Sequence, residues 1–264
     1  MMLYVHKTGC MHSMLFAMSR GYHWWIGGEI PVAKFDALRT KFDKVYDIET
    51  PQRTKARRRE RGQANAVFFA HPTYIRPSFA WWLLLTDGEH PAREAEKSIK
   101  DVRDRRQRLV FQENYEALVL PAQGAVPRWT WRLTHGFETH LRQAITEAVR
   151  HRQDARAIRD VIHTYHGLPG FRGIRHQVAL LRSHTIAEWK RTKSEEECPY
   201  LPTRMPAYVR YRSYRTVPHE TIQDRIARGL PPFSLEMRYG EQHPKVTEGD
   251  GAADSLRSER EYAD

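Results

Sequence analysis

This chain of 264 residues has few cysteines and no apolar stretch long enough to cross a membrane. Cys10 and Cys198 are its only cysteines. Two are too few for a disulfide framework or a four-cysteine zinc site, which favours a reducing compartment. The apolar run Phe79 to Leu85 is far shorter than the roughly 20 residues that span a bilayer. Because the first residues also contain no apolar segment of signal-peptide length, the sequence predicts a cytoplasmic protein with no membrane partner.

Motifs of nucleotide-dependent and metal-dependent catalysis are absent as well. The sequence has no GxxxxGK[ST], GxGxxG, GxSxG or HExxH motif, which argues against ATP-driven and zinc-hydrolase chemistry. His163 and His166 are spaced to share a helical face, and Cys10 is close to His12. Neither pair has the further ligands that a zinc site needs. We therefore expect no metal and no cofactor.

Positive charge is what this sequence has in excess. Its 43 Lys and Arg residues outnumber its 32 Asp and Glu residues, for a net charge of +11. Residues 241–264 contain seven acidic and three basic residues, a net charge of −4, which leaves +15 for residues 1–240. A body this basic attracts polyanions. A basic surface that only keeps the protein soluble is the simpler alternative, but the charges are clustered, and clustering favours nucleic acid as the partner.

The densest cluster of charge is Gln52 to Arg61, QRTKARRRER, in which one acidic residue interrupts six basic ones. Each base can neutralise a phosphate, which adds affinity without reading sequence. The alternatives are a solvated loop and a run of the nuclear-localisation type. We interpret the segment as a loop or frayed helix. The residues that we expect to contact nucleic acid here are Arg53, Lys55, Arg57, Arg58, Arg59 and Arg61.

A second basic stretch, Tyr208 to Arg215, alternates arginines with tyrosines in the order YVRYRSYR. In an extended chain, every second side chain shares a face, so two guanidinium groups would lie between two aromatic rings. Stacking on such rings is worth about 1–3 kcal/mol per unpaired base, which favours RNA or single strands over duplex DNA. The alternative is an edge strand whose tyrosines pack on the body. The candidate binding residues are Tyr208, Arg210, Tyr211, Arg212, Tyr214 and Arg215.

Two smaller basic groups add to the candidate interface. Arg172 and Arg175 lie near the N-terminus of a predicted helix, where free backbone N–H groups can bind a phosphate. A charged helix is predicted from Pro91 onward, with its acids early and its bases late, as the helix dipole favours. Because that helix has little apolar face, it would project into solvent or lie on a charged partner. Its bases are Arg103, Arg105, Arg106 and Arg108.

Hydrophobic periodicity predicts an α+β fold: two small antiparallel β-hairpin units with helices, followed by a helical C-terminal half. The predicted hairpins pair Ala66–Ala70 with Phe79–Thr86 and Tyr115–Leu120 with Arg128–Leu133. Gly27 and Gly28 are interpreted as a turn. We divide the chain into a mixed α+β nucleic-acid-binding region at 1–135, a helical region with a basic and aromatic C-terminal segment at 136–240, and a disordered acidic tail at 241–264.

Four segments carry a resemblance to a known group of proteins: FAWWLLLTDG from Phe79, DRRQRL from Asp104, WTWRLT from Trp129 and PGFRGIRHQV from Pro169. They resemble basic proteins, uncharacterised as a family, that are carried on integrative conjugative elements and plasmids. This resemblance covers most of residues 1–195. The order of a strand, a first helix with a nearby histidine, β-rich halves and a protruding basic helix is also similar to the repeat-processing endoribonucleases of CRISPR systems, including those found on plasmids.

The similarity to these endoribonucleases implies an activity. Such proteins cleave crRNA precursors beside a hairpin without metal and retain the product, often within a larger ribonucleoprotein complex. Histidine and arginine suffice for this chemistry, since a base must take the proton of the 2′-hydroxyl and cations must stabilise the phosphorane. The resemblance implies His12 or His23 as the base, and Arg20 and Arg39 as phosphate stabilisers. Structural histidines are the alternative interpretation.

The sequence therefore predicts a cytoplasmic protein that binds structured RNA, with metal-independent RNA processing as its candidate activity. The main alternative is a DNA-binding accessory protein for replication, transfer or regulation of a mobile genetic element. A third interpretation is a scaffold whose positive surface binds an acidic protein.

Overall fold

The computed structural model describes residues 1–74, 76–122, 125–152, 154–193, 197–210 and 214–239. The fold is α+β, with a helical C-terminal half, as the sequence predicts. The chain forms two compact units. The first unit combines residues 1–108 with the segment from Arg212 onward, and the second contains Leu109–Tyr211. The predicted acidic tail, 241–264, lies outside the described residues.

Two sheets and several helices build the first unit. The chain order is β1 (Met2–Tyr4), α1 (Lys7–Ser19), β2 (Tyr22–Pro31), α2 (Phe35–Tyr46), α3 (Gln52–Glu60), β3 (Ala66–Pro72), β4 (Ser78–Thr86), α4 (Pro91–Ala95) and β5 (Lys100–Asp101). The main sheet is antiparallel, in the order β3-β4-β2-β5. The predicted hairpin of β3 and β4 is confirmed, with Ala66 opposite Leu85 and Pro72 opposite Phe79.

The C-terminal segment completes the first unit. It contributes β9 (Thr216–Pro218), α8 (His219–Ala227) and α9 (Leu235–Tyr239). Strand β9 pairs with β1 at the other end of the sequence. Ile222 and Phe233 lie in the same buried cluster as Phe35 and Phe79. The core of this unit is therefore assembled from two stretches of chain that are about 100 residues apart.

The prediction of a turn at Gly27 and Gly28 is wrong, because both glycines lie inside β2. They pair with Trp82 and Trp81 of β4. A Cβ atom at Gly27 would lie 2.7 Å from the carbonyl oxygen of Trp81. Glycine is therefore needed here because a neighbouring backbone approaches closely, which is one of the reasons why glycine occurs within strands.

The prediction of a long charged helix after Pro91 is also wrong. The helix α4 ends at Ala95, and β5 follows it, paired with β2. The backbone N–H of Arg103 then donates a hydrogen bond to the Asp101 carboxylate, and that of Arg106 donates one to the Asp104 carboxylate, each at 2.9 Å. Such turns, in which an Asp side chain binds the backbone two residues on, compete with helix.

The segment Gln52–Glu60, interpreted from the sequence as a loop or frayed helix, is a regular helix, α3. Its last turn contains Arg57, Arg58 and Arg59, and positive charge near a helix C-terminus is favoured by the dipole. The Arg58 guanidinium binds the Asp47 carboxylate at 2.5 Å. In addition, the Asn65 amide donates a hydrogen bond to the Lys55 carbonyl. These two contacts hold a helix whose like charges would otherwise destabilise it.

The second unit joins a three-stranded sheet to a helical layer. Its elements are β6 (Val110–Phe111), β7 (Tyr115–Ala122), β8 (Ala125–Leu133), α5 (His135–Thr146), a π-helical stretch (Glu147–Arg152), α6 (Ala155–His166) and α7 (Arg172–Lys193). The sheet order is β6-β7-β8, which confirms the second predicted hairpin. The buried Gln177 side chain of α7 binds both the N–H and the carbonyl of Leu133 in β8.

The boundary between the two units differs from the predicted one near residue 135. The second hairpin groups with the helices that follow it because α7 packs directly on β8: a Cβ atom at Gly173 would lie 2.5 Å from the Trp131 carbonyl oxygen. Trp131 itself is fully buried. The segment from Arg212 returns instead to the first unit, through the pairing of β9 with β1.

Candidate nucleic-acid interface

The helix α3 and the residue that follows it present four exposed arginines, which we call the α3 surface: Arg53, Arg57, Arg59 and Arg61. Arg53, Arg57 and Arg61 are spaced by four residues and therefore share one side of the helix. Within the described part of the chain, no carboxylate lies within 4 Å of any of the four. Among the residues that the structure describes, no acidic side chain thus neutralises the charge of the α3 surface.

The other two predicted cations of this segment point elsewhere. Arg58 is paired with Asp47 and also donates to the Thr50 hydroxyl at 3.5 Å. Lys55 is half-buried, and burial, followed by the nearby charge of Arg58, lowers the pKa of its amine. Four of the six predicted cations are therefore placed to contact a ligand.

The end of α1 lies near the α3 surface. Burial raises the pKa of the Tyr22 phenol, and the positive charges of Arg59 and Arg20 oppose this rise. Tyr22 pairs with Thr86 in the main sheet. The Thr86 N–H donates to the carbonyl of Asn65, and the Asn65 side chain donates to the Lys55 carbonyl of α3. The Cζ atom of Arg20 lies 4.1 Å from the ring centroid of Phe16, and the Phe16 side chain is 49% exposed. Phe16 was not among the predicted residues, because a single phenylalanine in an apolar helix gives no signal of exposure.

In the second unit, the fold brings together two basic motifs that are about 35 residues apart in sequence. The N–H of Val209 donates to the Gly170 carbonyl at 3.1 Å. The Cζ atom of Arg175 lies 3.9 Å from the ring centroid of Tyr208, whose side chain is 60% exposed. We call this group the tyrosine surface. Its members are Arg172, Arg175, Tyr208 and Arg210.

The contact between these two basic motifs requires glycine at position 170. A Cβ atom at Gly170 would lie 1.7 Å from the carbonyl oxygen of Ala207, so no other residue fits beside that backbone. Arg172, at the start of α7, donates to the Pro121 carbonyl at 2.5 Å. The tyrosine surface therefore combines an exposed aromatic ring with guanidinium groups that protein contacts hold in place.

The last described residues of the Tyr208 to Arg215 motif, Tyr214 and Arg215, make contacts within the first unit. Tyr211 and Arg212 lie outside the described residues. Tyr214 is half-buried in the first unit, where its ring covers Gly9 at about 3 Å from the position of a Cβ atom. Arg215 donates to the Glu236 carbonyl at 3.3 Å. The tyrosine at position 214 therefore packs on the body, as the alternative interpretation proposed.

The predicted cations between Arg103 and Arg108 share no helical face, since that helix does not exist. Arg103 binds the Asp101 carboxylate at 2.7 Å and lies 3.6 Å from that of Asp87. Its charge is thus neutralised. Arg105 and Arg106 are exposed, and Arg108 is half-buried.

The four predicted catalytic residues lie on different elements. His12 is on α1, and the centroid of its ring lies 5.9 Å from that of the Tyr214 ring. Burial lowers the pKa of His12. His23 is on β2, where burial and then Arg103 lower its pKa, opposed by Asp87 and Asp101. Arg39 of α2 binds Glu49 at 2.6 Å, and Arg20 stacks on Phe16. Arg39 is therefore engaged with an acid.

A cleft of about 270 Å³ in the second unit was not predicted. It lies between α5, the π-helical stretch and α7. There the Thr146 hydroxyl is 3.2 Å from Nε2 of His184. Nδ1 of His184 is 3.9 Å from the buried carboxylate of Glu188, which also binds Arg150 and Arg191. The charges around this cleft are balanced, because Arg142 pairs with Glu138 and Arg152 with Glu147, so it does not extend the basic surfaces.

Neither metal-binding clusters nor membrane spans were found in the described ranges. No group of three or more His, Cys, Asp or Glu side chains there could hold a metal ion. Among the same residues, no helix combines the length and apolarity that crossing a membrane requires. Comparisons of the chain with models of known families, with curated proteins and with solved structures found no match.

Proposed function

We propose that this protein binds structured RNA through the α3 surface and the tyrosine surface. The observation that carries the proposal is the un-neutralised charge of the α3 surface: its four arginines have no carboxylate within 4 Å in the described part of the chain, whereas Arg39, Arg58 and Arg103 each bind one. Guanidinium groups without a protein partner suit phosphate oxygens, which they bind in a bidentate manner.

The tyrosine surface favours RNA over duplex DNA as the ligand. An exposed ring that is stacked on a guanidinium group offers its other face to an unpaired base. Structured RNA has such bases in its loops and bulges, where proteins recognise them by stacking, whereas the bases of a duplex are stacked on each other.

The salt dependence of binding tests the proposal. We expect Arg57→Ala and Arg59→Ala each to weaken RNA binding, and to reduce the slope of log K against log salt by about 0.7–0.9 for each phosphate that the variant no longer neutralises. The matched control is Arg228→Ala in the same unit, which also removes one positive charge but one that is paired with Asp224 at 3.0 Å. Fluorescence anisotropy over a range of salt concentrations measures both quantities. Equal slopes for the wild-type protein and both α3 variants would remove the α3 surface from consideration.

RNA processing without metal is the activity that we propose for the bound RNA, with retention of the cleaved product inside a larger ribonucleoprotein complex of a mobile-element CRISPR type. His12 or His23 would act as the base, and Arg20 and Arg39 as phosphate stabilisers, for which Arg39 must release the Glu49 carboxylate. Labelled hairpin RNA, incubated with the protein in excess chelator, should be cleaved by the wild-type protein. One of the variants His12→Ala and His23→Ala, the one that removes the base, should not cleave it. Absence of any product with the wild-type protein leaves RNA binding as the whole function.

A DNA-binding accessory role for a mobile genetic element is the second candidate. It is favoured by one observation, that the basic segment is a regular helix, since the major groove of B-DNA admits a helix. Competition between a hairpin RNA and a duplex DNA of equal length separates the two functions. Preferential displacement by the duplex would support the DNA-binding alternative.

A further inference from the structure

Phe16 is an exception among the large apolar side chains of α1. Met11, Met14, Leu15 and Met18 of this helix are buried, whereas 49% of the Phe16 side chain is exposed. Exposed apolar side chains are common in proteins and by themselves imply no function. What distinguishes Phe16 is the residue one helical turn later: the Arg20 guanidinium lies over the Phe16 ring, 4.1 Å from its centroid. The stacked cation holds the ring in place at the surface.

The charge around this stacked pair is positive. Arg20, like the members of the α3 surface, has no carboxylate within 4 Å in the described ranges. The residues after α1 are linked to α3 through the main sheet: Tyr22 pairs with Thr86, and Asn65, which binds the Thr86 N–H, donates to the Lys55 carbonyl of α3 at 2.9 Å. An aromatic ring at the edge of an un-neutralised cationic surface has the two features of sites that bind single-stranded nucleic acid: a stacking platform and a track for phosphates.

We propose that Phe16, supported by Arg20, is a stacking platform for an unpaired base of a single-stranded RNA segment whose neighbouring phosphates contact the α3 surface. This inference rests on the proposed RNA-binding function and specifies the part of the RNA that this unit binds. A paired base cannot use the platform, because both of its faces are covered by its neighbours in the helix. Arg20 acts here as a positioning residue for Phe16.

Binding to paired and unpaired RNA separates this inference from the proposed function. We expect Phe16→Ala to weaken binding of an unstructured RNA about tenfold, the effect of losing one stacked base. Its affinity for a fully paired RNA duplex of equal length, which has no loop, should stay unchanged. Phe16→Tyr keeps an aromatic ring and should bind the unstructured RNA as the wild-type protein does. The matched control is Val45→Ala, which truncates another exposed apolar side chain of the same unit, 43% exposed on α2.

A fluorescent adenine analogue in the unstructured RNA reports stacking directly. Its fluorescence should fall on binding to the wild-type protein and to Phe16→Tyr, and fall less with Phe16→Ala. The inference is overturned if the wild-type protein binds both RNAs but Phe16→Ala has wild-type affinity and quenching. If single-stranded DNA binds equally well, with the same dependence on Phe16, the assignment of the platform to RNA is overturned. If the wild-type protein binds no RNA at all, the proposed function itself has failed.

Discussion

His71 of β3 shows how one buried residue links this fold to pH. Its imidazole is fully buried, and Nδ1 donates to the Pro72 carbonyl at 3.0 Å. Burial lowers the pKa of His71 to about 3, and the nearby charges of Lys7 and Arg238 act in the same direction. The folded protein therefore keeps this histidine neutral, because a charged imidazole at this position would lose its hydration.

The low pKa of His71 predicts a loss of stability on acidification. The pKa of histidine in an unfolded chain is about 6.5, so below this pH the unfolded state binds a proton that folded His71 does not take up until about pH 3. His71 should thus lower the free energy of unfolding as the pH falls below 6.5, by up to about 1.4 kcal/mol per pH unit, and should have no such effect above it. Urea unfolding at a series of pH values should give a shallower slope for His71→Gln than for the wild-type protein. Identical slopes would mean that His71 takes up its proton in the folded state.

At the residue scale, the sequence identifies the cations but not their partners. Arg58 and Arg39 belong to basic or helical segments that suggested ligand contacts, yet each binds a carboxylate about ten residues away, Asp47 or Glu49. Whether such a pair forms depends on where a helix ends and how the chain turns after it. In the same way, the exposure of Phe16 depends on which side of α1 faces the sheet, and this apolar helix has no polar face from which to predict it.

At the element scale, hydrophobic periodicity predicts the two hairpins. It fails where glycines that are typical of a turn lie inside a strand, and where Asp side chains bind the backbone. Both hairpins follow from the apolar spacing of their strands. The strand β2 was missed because its two glycines, typical of a turn, are required for close packing against Trp81 and Trp82. The helix predicted after Pro91 ends at Ala95; the chain then forms β5, paired with β2, and turns in which the Asp101 and Asp104 side chains bind the backbone.

The start of α7 provides a test of how the tyrosine surface is built. Gly170→Ala would place a Cβ atom 1.7 Å from the Ala207 carbonyl oxygen. Because the overlap is with a backbone atom, a change of side-chain rotamer cannot relieve it. The backbone segment that bears Tyr208 must therefore move away from Arg175. We expect weaker RNA binding and a decrease of about 1–3 kcal/mol in the free energy of unfolding. Anisotropy and urea unfolding measure the two effects.

The control for this variant is Gly136→Ala. Gly136 is in the first turn of α5, in the same unit, and no atom lies within 4 Å of the position of its Cβ. Alanine is a better helix former than glycine, so this variant should retain RNA binding and be at least as stable as the wild-type protein. Wild-type affinity and stability for Gly170→Ala would show that the contact between Gly170 and Ala207 does not position Tyr208.

At the scale of the whole molecule, the two units differ in how the chain supplies their cores. The second unit is one continuous stretch of about 100 residues, from Leu109 to Tyr211, within the usual range for a domain that folds alone. The first unit needs both ends of its chain. His219, which is buried, binds the Met1 carbonyl at 3.1 Å and the Asp36 carboxylate at 2.7 Å. No pattern in the sequence indicates that residues so far apart share a core, which is why the predicted boundary near 135 differs from that of the units.

This difference predicts the behaviour of fragments. Residues 109–211 should fold alone and unfold cooperatively in urea, because the described core of this unit, including Trp131, Leu141, Tyr165 and Val178, is supplied from within the fragment. Residues 1–108 should show no cooperative transition, because they lack β9 to pair with β1 and Ile222 and Phe233 to cover Phe35 and Phe79. Circular dichroism measures both transitions. Adding residues 212–239 as a peptide should restore cooperative unfolding to 1–108. If residues 1–108 unfold cooperatively without the peptide, the C-terminal segment is an accessory to this core rather than a part of it.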